Sequence, residues 1–283
     1  MRKFLVPVRG DGKGDNVVAH AAALARRMNV HIQISHCRPR PEDMLPYGVP
    51  VGQTLKDLML KQISGLADQE EQGLRDEVTV LCKKLNLKLT NALDKNSTTA
   101  SFIEKEGRQV DVIRHHGRLA SLIVVAQPDR DQNLGTNTLK SALFHTSRPV
   151  LMCPPQDTPP EVIGAHIIIA WNGSLEATRA VVMSKSIILQ ADKVTILTAG
   201  VEVNTPSEEE LVEYLTHWGV TAETLKFEPS KTVAKDLLAL SADVGADLLI
   251  MGAYGDSHEH ETLFGGNTQH IVDHANMPVI LVH

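Results

Sequence analysis

Short apolar runs alternate along this chain with longer stretches in which apolar residues recur at helical spacing. This order is typical of a parallel β-sheet with helices on both faces. In the first half the pattern predicts strands at 4–8, 30–36, 87–93, 119–126 and 148–153. In the second half it predicts strands at 166–171, 194–200, 221–227, 247–251 and 277–283. We therefore expect two tandem α/β units, each with an open, mostly parallel five-stranded sheet.

The second half of the sequence repeats the order of the first. ASLIVVA corresponds to ADLLIMG, and SRPVLMCP corresponds to NMPVILVH, which indicates an internal duplication. A proline-rich stretch without periodicity, PPQDTPPEVIG at 154–164, lies between the two copies and is typical of a linker. The sequence thus predicts two domains, at 1–154 and 165–283.

Composition excludes several classes of partner. A formal charge of −6 and a 4% aromatic content provide neither a basic surface nor a stacking platform, so we expect no nucleic acid. The apolar runs are too short for a membrane span or a secretion signal, so we expect no membrane. Three widely spaced cysteines, Cys37, Cys82 and Cys153, do not form a disulfide framework and favour a cytoplasmic location.

The candidate chemistry lies in MGAYGDSHEHETLFGGNTQH, residues 251–270. Gly252 and Gly255 directly follow a predicted buried strand, where a residue without a Cβ can adopt positive φ and let a ligand approach the backbone. Gly265 and Gly266 precede a helical pattern, whose open amides suit a phosphate, and Asn267 with Thr268 adds side-chain donors or a cap. By themselves these residues fit either a phosphate site or a pair of tight turns.

Known catalytic and metal motifs are missing from the sequence. It contains no G-x-x-x-x-G-K-[ST], no G-x-S-x-G and no HExxH, and no G-x-G-x-x-G follows the first strand. The histidine pairs His258/His260 and His270/His274 are better explained as surface residues than as metal ligands. We therefore predict no catalytic residues and no metal ligands, and the lack of an obvious lysine favours binding over phosphoryl transfer.

The spacing Gly252-x2-Gly255-x9-Gly265, between a buried strand and the terminal MPVILVH, resembles the ATP-binding signature of the universal stress protein family. The resemblance covers both halves, as in tandem members of that family. It implies a Rossmann-like fold of the adenine nucleotide alpha hydrolase-like type, and ATP, with or without Mg²⁺, as the ligand. One departure is Gly266, where the family commonly has Ser or Thr, so a hydroxyl contact is lost.

The same resemblance implies which residues hold the nucleotide. The exit of the strand at 166–171 matches the segment that contacts the nucleoside, although Asn172 replaces the family's usual aspartate. Ala199 and Met251 match apolar contacts to the adenine. Trp171 is expected either to stack on the ligand or to belong to the core. The predicted contacts are Ala170, Trp171, Asn172, Ala199, Met251, Gly252, Gly255, Gly265, Gly266, Asn267 and Thr268.

The first half lacks these features. Ala126 and Asp129 stand where the second half has Gly252 and Gly255, and Arg9 stands at the position of Asn172. Thr136–Asn137 replaces the glycine pair, and a carboxylate at 129 repels phosphate. We therefore expect the first domain to be degenerate and to bind no nucleotide.

These observations predict an ATP-binding sensor or regulator of the stress response. An interaction scaffold without nucleotide and a slow ATPase are the alternatives. Pairing of RPVLMC with MPVILVH would cover two apolar edge strands within one chain, and a homodimer is a further expectation. The proline-containing loop 38–53 is expected to contact a partner, to cover a pocket or to be a mobile surface loop.

Overall fold

The computed structural model describes residues 2–9, 14–38, 40–45, 52–92, 94–129, 134–201, 204–255 and 266–283. The strands are Lys3–Val8 (β1), His31–Arg38 (β2), Lys88–Leu89 (β3), Thr99–Glu106 (β4), Leu122–Ala126 (β5), Val150–Cys153 (β6), His166–Ala170 (β7), Lys193–Thr198 (β8), Ala222–Lys226 (β9), Leu248–Gly252 (β10) and Val279–Val282 (β11). The helices are Gly14–Arg26 (α1), Gln53–Lys84 (α2), Gln109–Gly117 (α3), Thr136–Thr146 (α4), Leu175–Met183 (α5), Lys185–Ile188 (α6), Glu208–Thr216 (α7), Val233–Asp243 (α8) and Gly266–His274 (α9). A short 3₁₀ turn covers Pro41–Met44, inside the loop 38–53.

The described strands form one open sheet in the order β3-β4-β2-β1-β5-β6-β11-β10-β7-β8-β9. Within each half all pairs are parallel. The mostly parallel α/β fold with helices on both faces is therefore confirmed. In each half the first strand is central: β7 lies between β10 and β8, so the chain order reverses beside it. Such a reversal leaves a crevice at the carboxyl ends of the strands.

The two sheets are continuous, because the last strands of the two halves, which contain the apolar runs RPVLMC and MPVILVH, pair with each other. β11 runs antiparallel to β6, with Val279 opposite Met152 and Leu281 opposite Val150. Every residue of both strands is buried. Strands that are apolar on both faces cannot be left as open edges, and their pairing joins the halves into one eleven-stranded sheet among the described residues.

The strand β4 is missing from the prediction, which also extends the two-residue strand β3 to 87–93. β4 begins with the buried polar residues Thr99 and Ser101. The ring of buried His31 forms hydrogen bonds with both hydroxyls, at 2.8 Å from Nδ1 to Thr99 Oγ1 and 2.9 Å from Nε2 to Ser101 Oγ. A hydrophobic pattern does not detect this strand, because Thr99 and Ser101 place polar groups at buried positions and satisfy them with His31.

Two apolar layers cover the two faces of the sheet. Alternate strand residues point to opposite faces, so that Phe4 and Ile250 belong to one layer and Leu5 and Leu249 to the other. The first layer also contains buried residues of α1 and of α5 to α7, and the second those of α3, α4, α8 and α9. Within the described ranges, no helix combines the length and apolar character needed to cross a membrane.

Candidate functional site

A cavity of about 710 Å³ lies at the carboxyl ends of the second-half strands. Ala170 and Met251, at the ends of the adjacent strands β7 and β10, form its floor, and helices α5, α8 and α9 supply its walls. Its position is the point at which the strand order reverses, and its size is within the range of small-molecule sites.

This cavity brings together most of the predicted contacts. Its wall includes Ala170, Trp171, Asn172, Ala199, Met251, Gly252, Gly255, Asn267 and Thr268. Gly266 is the first residue of α9 but is not part of the wall. Gly265 lies outside the described residues. Residues that are far apart in the sequence thus meet at one edge of the sheet because parallel strands end there together.

One end of the cavity is apolar. Met251 is joined there by Leu197, Phe227, Leu237 and Ile271. The sequence analysis missed these last four residues, since they come from β8, the residue after β9, α8 and α9 and carry no local motif. An apolar slot of this kind suits a flat ring system.

The other end is built from polar groups that also fix the local backbone. Asn172 Oδ1 accepts from the Ser174 backbone N–H at 3.2 Å, and Ser174 Oγ caps α5 by accepting from Ala177 N–H at 3.2 Å. Thr268 Oγ1 accepts from Tyr254 N–H at 3.4 Å. These side chains therefore hold the glycine segment and the starts of α5 and α9 in place before any ligand is bound.

Neither Gly252 nor Gly255 adopts positive φ, and close packing is what requires glycine at 252. A Cβ on Gly252 would lie 2.6 Å from the backbone carbonyl carbon of Glu176 and from the nitrogen of Ala177. The first turn of α5 thus packs directly on the end of β10. The unusual backbone in this segment belongs to Tyr254, whose φ is +56°.

Trp171 is a core residue that also borders the cavity. Its side chain is buried, and its Nε1–H donates to the carbonyl oxygen of Pro206 at 3.0 Å. The bond anchors the wall segment that contains Thr205 and Pro206. Of the two interpretations that the sequence left open for Trp171, burial in the core fits this geometry.

Glu176 is the residue of the wall that the sequence analysis most clearly missed. Among the described wall residues it is the one with a charged side chain. Only 12% of that side chain is exposed, and Oε1 lies 3.7 Å from Nη1 of Arg179. One feature of the sequence could have indicated Glu176. It lies in the first turn of α5, the helix that follows β7 and that Ser174 caps. The described part of the wall therefore carries one negatively charged side chain and no positively charged one.

The corresponding place in the first half is filled. The described residues around Val8, Ala126 and Thr138 enclose only about 40 Å³. Arg9 occupies the space: its Nε donates to Gln109 Oε1 at 3.0 Å, and an Nη group donates to Thr138 Oγ1. A volume of this order suits a water molecule rather than an organic ligand.

Burial raises the pKa of the three thiols and of one phenol in the cavity wall. Burial raises the pKa of Cys82 to about 11 and also raises the pKa of Cys37 and Cys153. The pKa of Tyr254 is raised first by burial and then by the charge of Asp273. These groups are therefore neutral at physiological pH. The described residues contain no cluster of His, Cys, Asp or Glu suited to hold a metal ion by itself.

Comparison with known proteins gives a family match for the second half. A model of the Universal stress protein family matches residues 165–283. A search of curated proteins found no match. Among solved structures, a universal stress protein from Archaeoglobus fulgidus DSM 4304 has a TM-score of 0.70 at 15% identity, over 99% of this chain and 97% of that one. A putative universal stress protein from Pseudomonas aeruginosa UCBPP-PA14 has a TM-score of 0.55 at 16% identity, over 100% and 93%. At these identities the likeness shows the fold, and it extends over both halves.

Proposed function

We propose that this chain, whose residues 165–283 match the model of the Universal stress protein family, serves the stress response by binding an adenine nucleotide in its second half. The observation that carries the proposal is the cavity of about 710 Å³ at the reversal point of the strand order. This is where open α/β sheets bind their ligands.

The two ends of the cavity fit the two ends of a nucleotide. The apolar end, with Met251 and Phe227, suits the base. The polar end lies beside the glycine segment and the first turn of α9, where Asn267 and Thr268 enter the wall. Open amides and the positive end of a helix dipole suit phosphate oxygens. In this assignment the nucleotide spans from the strand ends to α9.

The contrast between the halves supports binding in the second domain alone. Arg9, held by Gln109 and Thr138, narrows the first-half pocket, whereas Asn172 at the equivalent position borders an open cavity in the second half. A nucleotide in the first domain would have to displace a hydrogen-bonded guanidinium. We therefore propose a single working site and a structural role for the first domain.

The first test is to denature the purified protein and identify the released small molecules by mass spectrometry, followed by calorimetric titration with ATP and ADP. We expect one adenine nucleotide per chain. A second nucleotide per chain would contradict the assignment to one domain. If no nucleotide is released and calorimetry detects no binding of ATP or ADP, nucleotide binding is rejected.

A cavity-filling variant tests the location of the site. Ala199 lies in the wall directly after β8 and is half-buried. In Ala199→Phe the ring enters the space assigned to the base, so we expect affinity for ATP to fall at least about tenfold. Ala242→Phe, on the exposed side of α8, is the matched control and is expected to bind as the original protein does. Equal affinity of both variants would place the nucleotide elsewhere.

An interaction scaffold is the second candidate, and one observation favours it. Packing of α5 alone accounts for Gly252, so that glycine is not by itself a sign of a ligand. A scaffold predicts that millimolar ATP leaves the thermal unfolding midpoint unchanged, whereas a ligand that binds only the native state raises it.

Location and assembly complete the proposal. The free thiols Cys37, Cys82 and Cys153 support a cytoplasmic location. A homodimer stays a prediction, and its interface would lie outside β6 and β11, since these two strands already pair with each other.

A further inference from the structure

Helix α2 is apolar on two sides. Its buried residues, Val78, Leu81 and Cys82, lie near its C-terminal end and belong to the first apolar layer of the sheet. Four other large apolar side chains of this helix are between 53% and 69% exposed. At about 100° per residue, these four lie within an arc of about 80°, on the side of α2 opposite the buried residues. They form what we call the outer stripe: Leu55, Leu58, Leu66 and Val80.

The N-terminal part of α2 has little packing to support it. Residues 53–67 include no buried residue, and Gly52 at the N-cap makes no side-chain hydrogen bond. Arg38 of β2 is bound to the middle of the helix, with Nη1 at 2.6 Å from Asp68 Oδ1. A helical segment as short as 53–67 is marginal in water unless an apolar face is buried. The outer stripe is an apolar face that a partner can bury.

Two glycines inside α2 have no packing role within the chain. A Cβ on Gly65 or on Gly73 would have no described atom within 4 Å. Glycine in the interior of a helix destabilises it relative to alanine, because its backbone loses more conformational freedom on folding. Both glycines lie in the arc of the outer stripe or at its edge. A second helix packed on this side approaches the backbone most closely at a glycine, which gives both residues a role.

Charges are divided unequally along α2. Its first fourteen residues contain two lysines and one aspartate, whereas the next eleven contain five acidic residues and one arginine. Two parallel copies of α2 would set the acidic segments against each other, which costs free energy through like-charge repulsion. Two antiparallel copies instead place Lys56 of one at the level of Glu77 of the other, and Lys61 and Asp76 are matched in the same way. The charge pattern thus favours an antiparallel pair of identical helices.

The apolar residues fit the same arrangement. Leu55 of one copy lies at the level of Val80 of the other. This apolar pair and both charged pairs have their midpoints between residues 66 and 69. A two-fold interface uses the same surface on both copies, so it must be complementary to itself. We propose that this protein forms a homodimer in which the outer stripes of two α2 helices pack antiparallel, about a two-fold axis near Leu66.

This interface is separate from the internal strand pair and from the proposed nucleotide site. Strands β6 and β11 already pair with each other within the chain. Helix α2 precedes β3, and β3 and β4 lie at one end of the sheet, whereas β7, β8 and β9 lie at the other. The dimer therefore requires no nucleotide, and its test is independent of the proposed function.

The experiment is sedimentation equilibrium of the full chain without ligand, over a range of concentrations up to about 100 µM. We expect the mass of two chains for the original protein. Leu66→Glu places a carboxylate of each copy near the axis, so we expect the dissociation constant of the dimer to rise at least about a hundredfold. Leu119→Glu is the matched control, because Leu119 is 79% exposed and lies outside α2, and we expect it to keep the dimer. Circular dichroism and thermal unfolding verify that each variant folds, and Leu58→Glu is a second variant of the outer stripe.

A charge exchange tests the direction of the two helices. Lys56→Glu sets two carboxylates at one level and should weaken the dimer about three- to tenfold, since an exposed ion pair contributes little by itself. Adding Glu77→Lys should restore the affinity of the original chain. Adding Glu213→Lys, at an exposed position of α7, restores the net charge but should leave the dimer weakened.

Each other outcome contradicts the inference. A mass of one chain at all concentrations up to about 100 µM overturns it. A dimer that Leu66→Glu and Leu58→Glu leave intact has its interface elsewhere, which also overturns it. If neither of these two variants folds, the outer stripe is required within the chain and the inference is wrong. A dimer that is lost in Leu66→Glu but does not recover in the charge-exchange variant overturns the antiparallel arrangement.

Discussion

Replacing Gly252 with alanine should destabilise the second domain even without any ligand. The added Cβ would lie 2.6 Å from three atoms: the backbone carbonyl carbon and Cβ of Glu176, and the backbone nitrogen of Ala177. Contacts this short force movement, and two of the three atoms are backbone of the first turn of α5. Overpacking of this kind costs about 1–3 kcal/mol of unfolding free energy, and we expect the upper part of that range because α5 cannot swing aside like a side chain.

Urea unfolding of the nucleotide-free protein measures this cost. Gly266→Ala is the matched control, since a Cβ there has no described atom within 4 Å and Gly266 is the first residue of α9. Alanine at a helical position that tolerates it is neutral or stabilises by up to about 1 kcal/mol. An unchanged urea midpoint for Gly252→Ala would refute the packing argument. Ligand binding would then be the remaining reason for glycine at this position.

Two further predictions concern the first domain. Arg9→Ala leaves Gln109 Oε1 and Thr138 Oγ1 without the guanidinium, so we expect a loss of about 1–3 kcal/mol in urea unfolding without gain of a second nucleotide; unchanged stability would show that Arg9 does not support the domain. Burial first, and then the neighbouring carboxyl group of Glu71, raises the pKa of Glu104 from its ordinary value of 4.5 to about 7. Its protonated form thus stabilises the native state below about pH 4.5, and this contribution is lost as pH rises through about 7. Urea midpoints measured from pH 5 to 8 should fall with pH, and this slope should be reduced in Glu104→Gln; an unchanged slope would exclude Glu104 as its source.

The placement of the candidate site was predictable because its main residues follow strands. Ala170, Ala199 and Met251 each lie at or next to the end of a predicted strand, and parallel strands end at one edge. The roles of individual residues were less predictable. Gly252 has a packing role that depends on where α5 lies, and Glu176 enters the cavity only because α5 is capped at Ser174 and packs on β10.

The loss of the site in the first half was also only partly predictable from the sequence. The sequence indicated that Arg9 stands where Asn172 stands in the other half, and it predicted the loss of a site from altered ligand groups. The structure adds a steric reason, since the Arg9 side chain fills the space by bonding to Gln109 and Thr138, from two different helices. Such a contact depends on three segments that are distant in the chain.

The sequence by itself determined the α/β class, the duplication and the edge of the sheet where the candidate site lies, because local periodicity and strand ends encode them. Tertiary structure decided the rest. It placed β4 beside β2, where its buried hydroxyls bond to His31, and it set the antiparallel register of β6 and β11, whose pairing the apolar sequence already favoured. It also left one cavity open and the other filled. These outcomes depend on which distant surfaces meet, since the free energy of a buried polar group or an apolar edge is set by its partner and not by its neighbours in the chain.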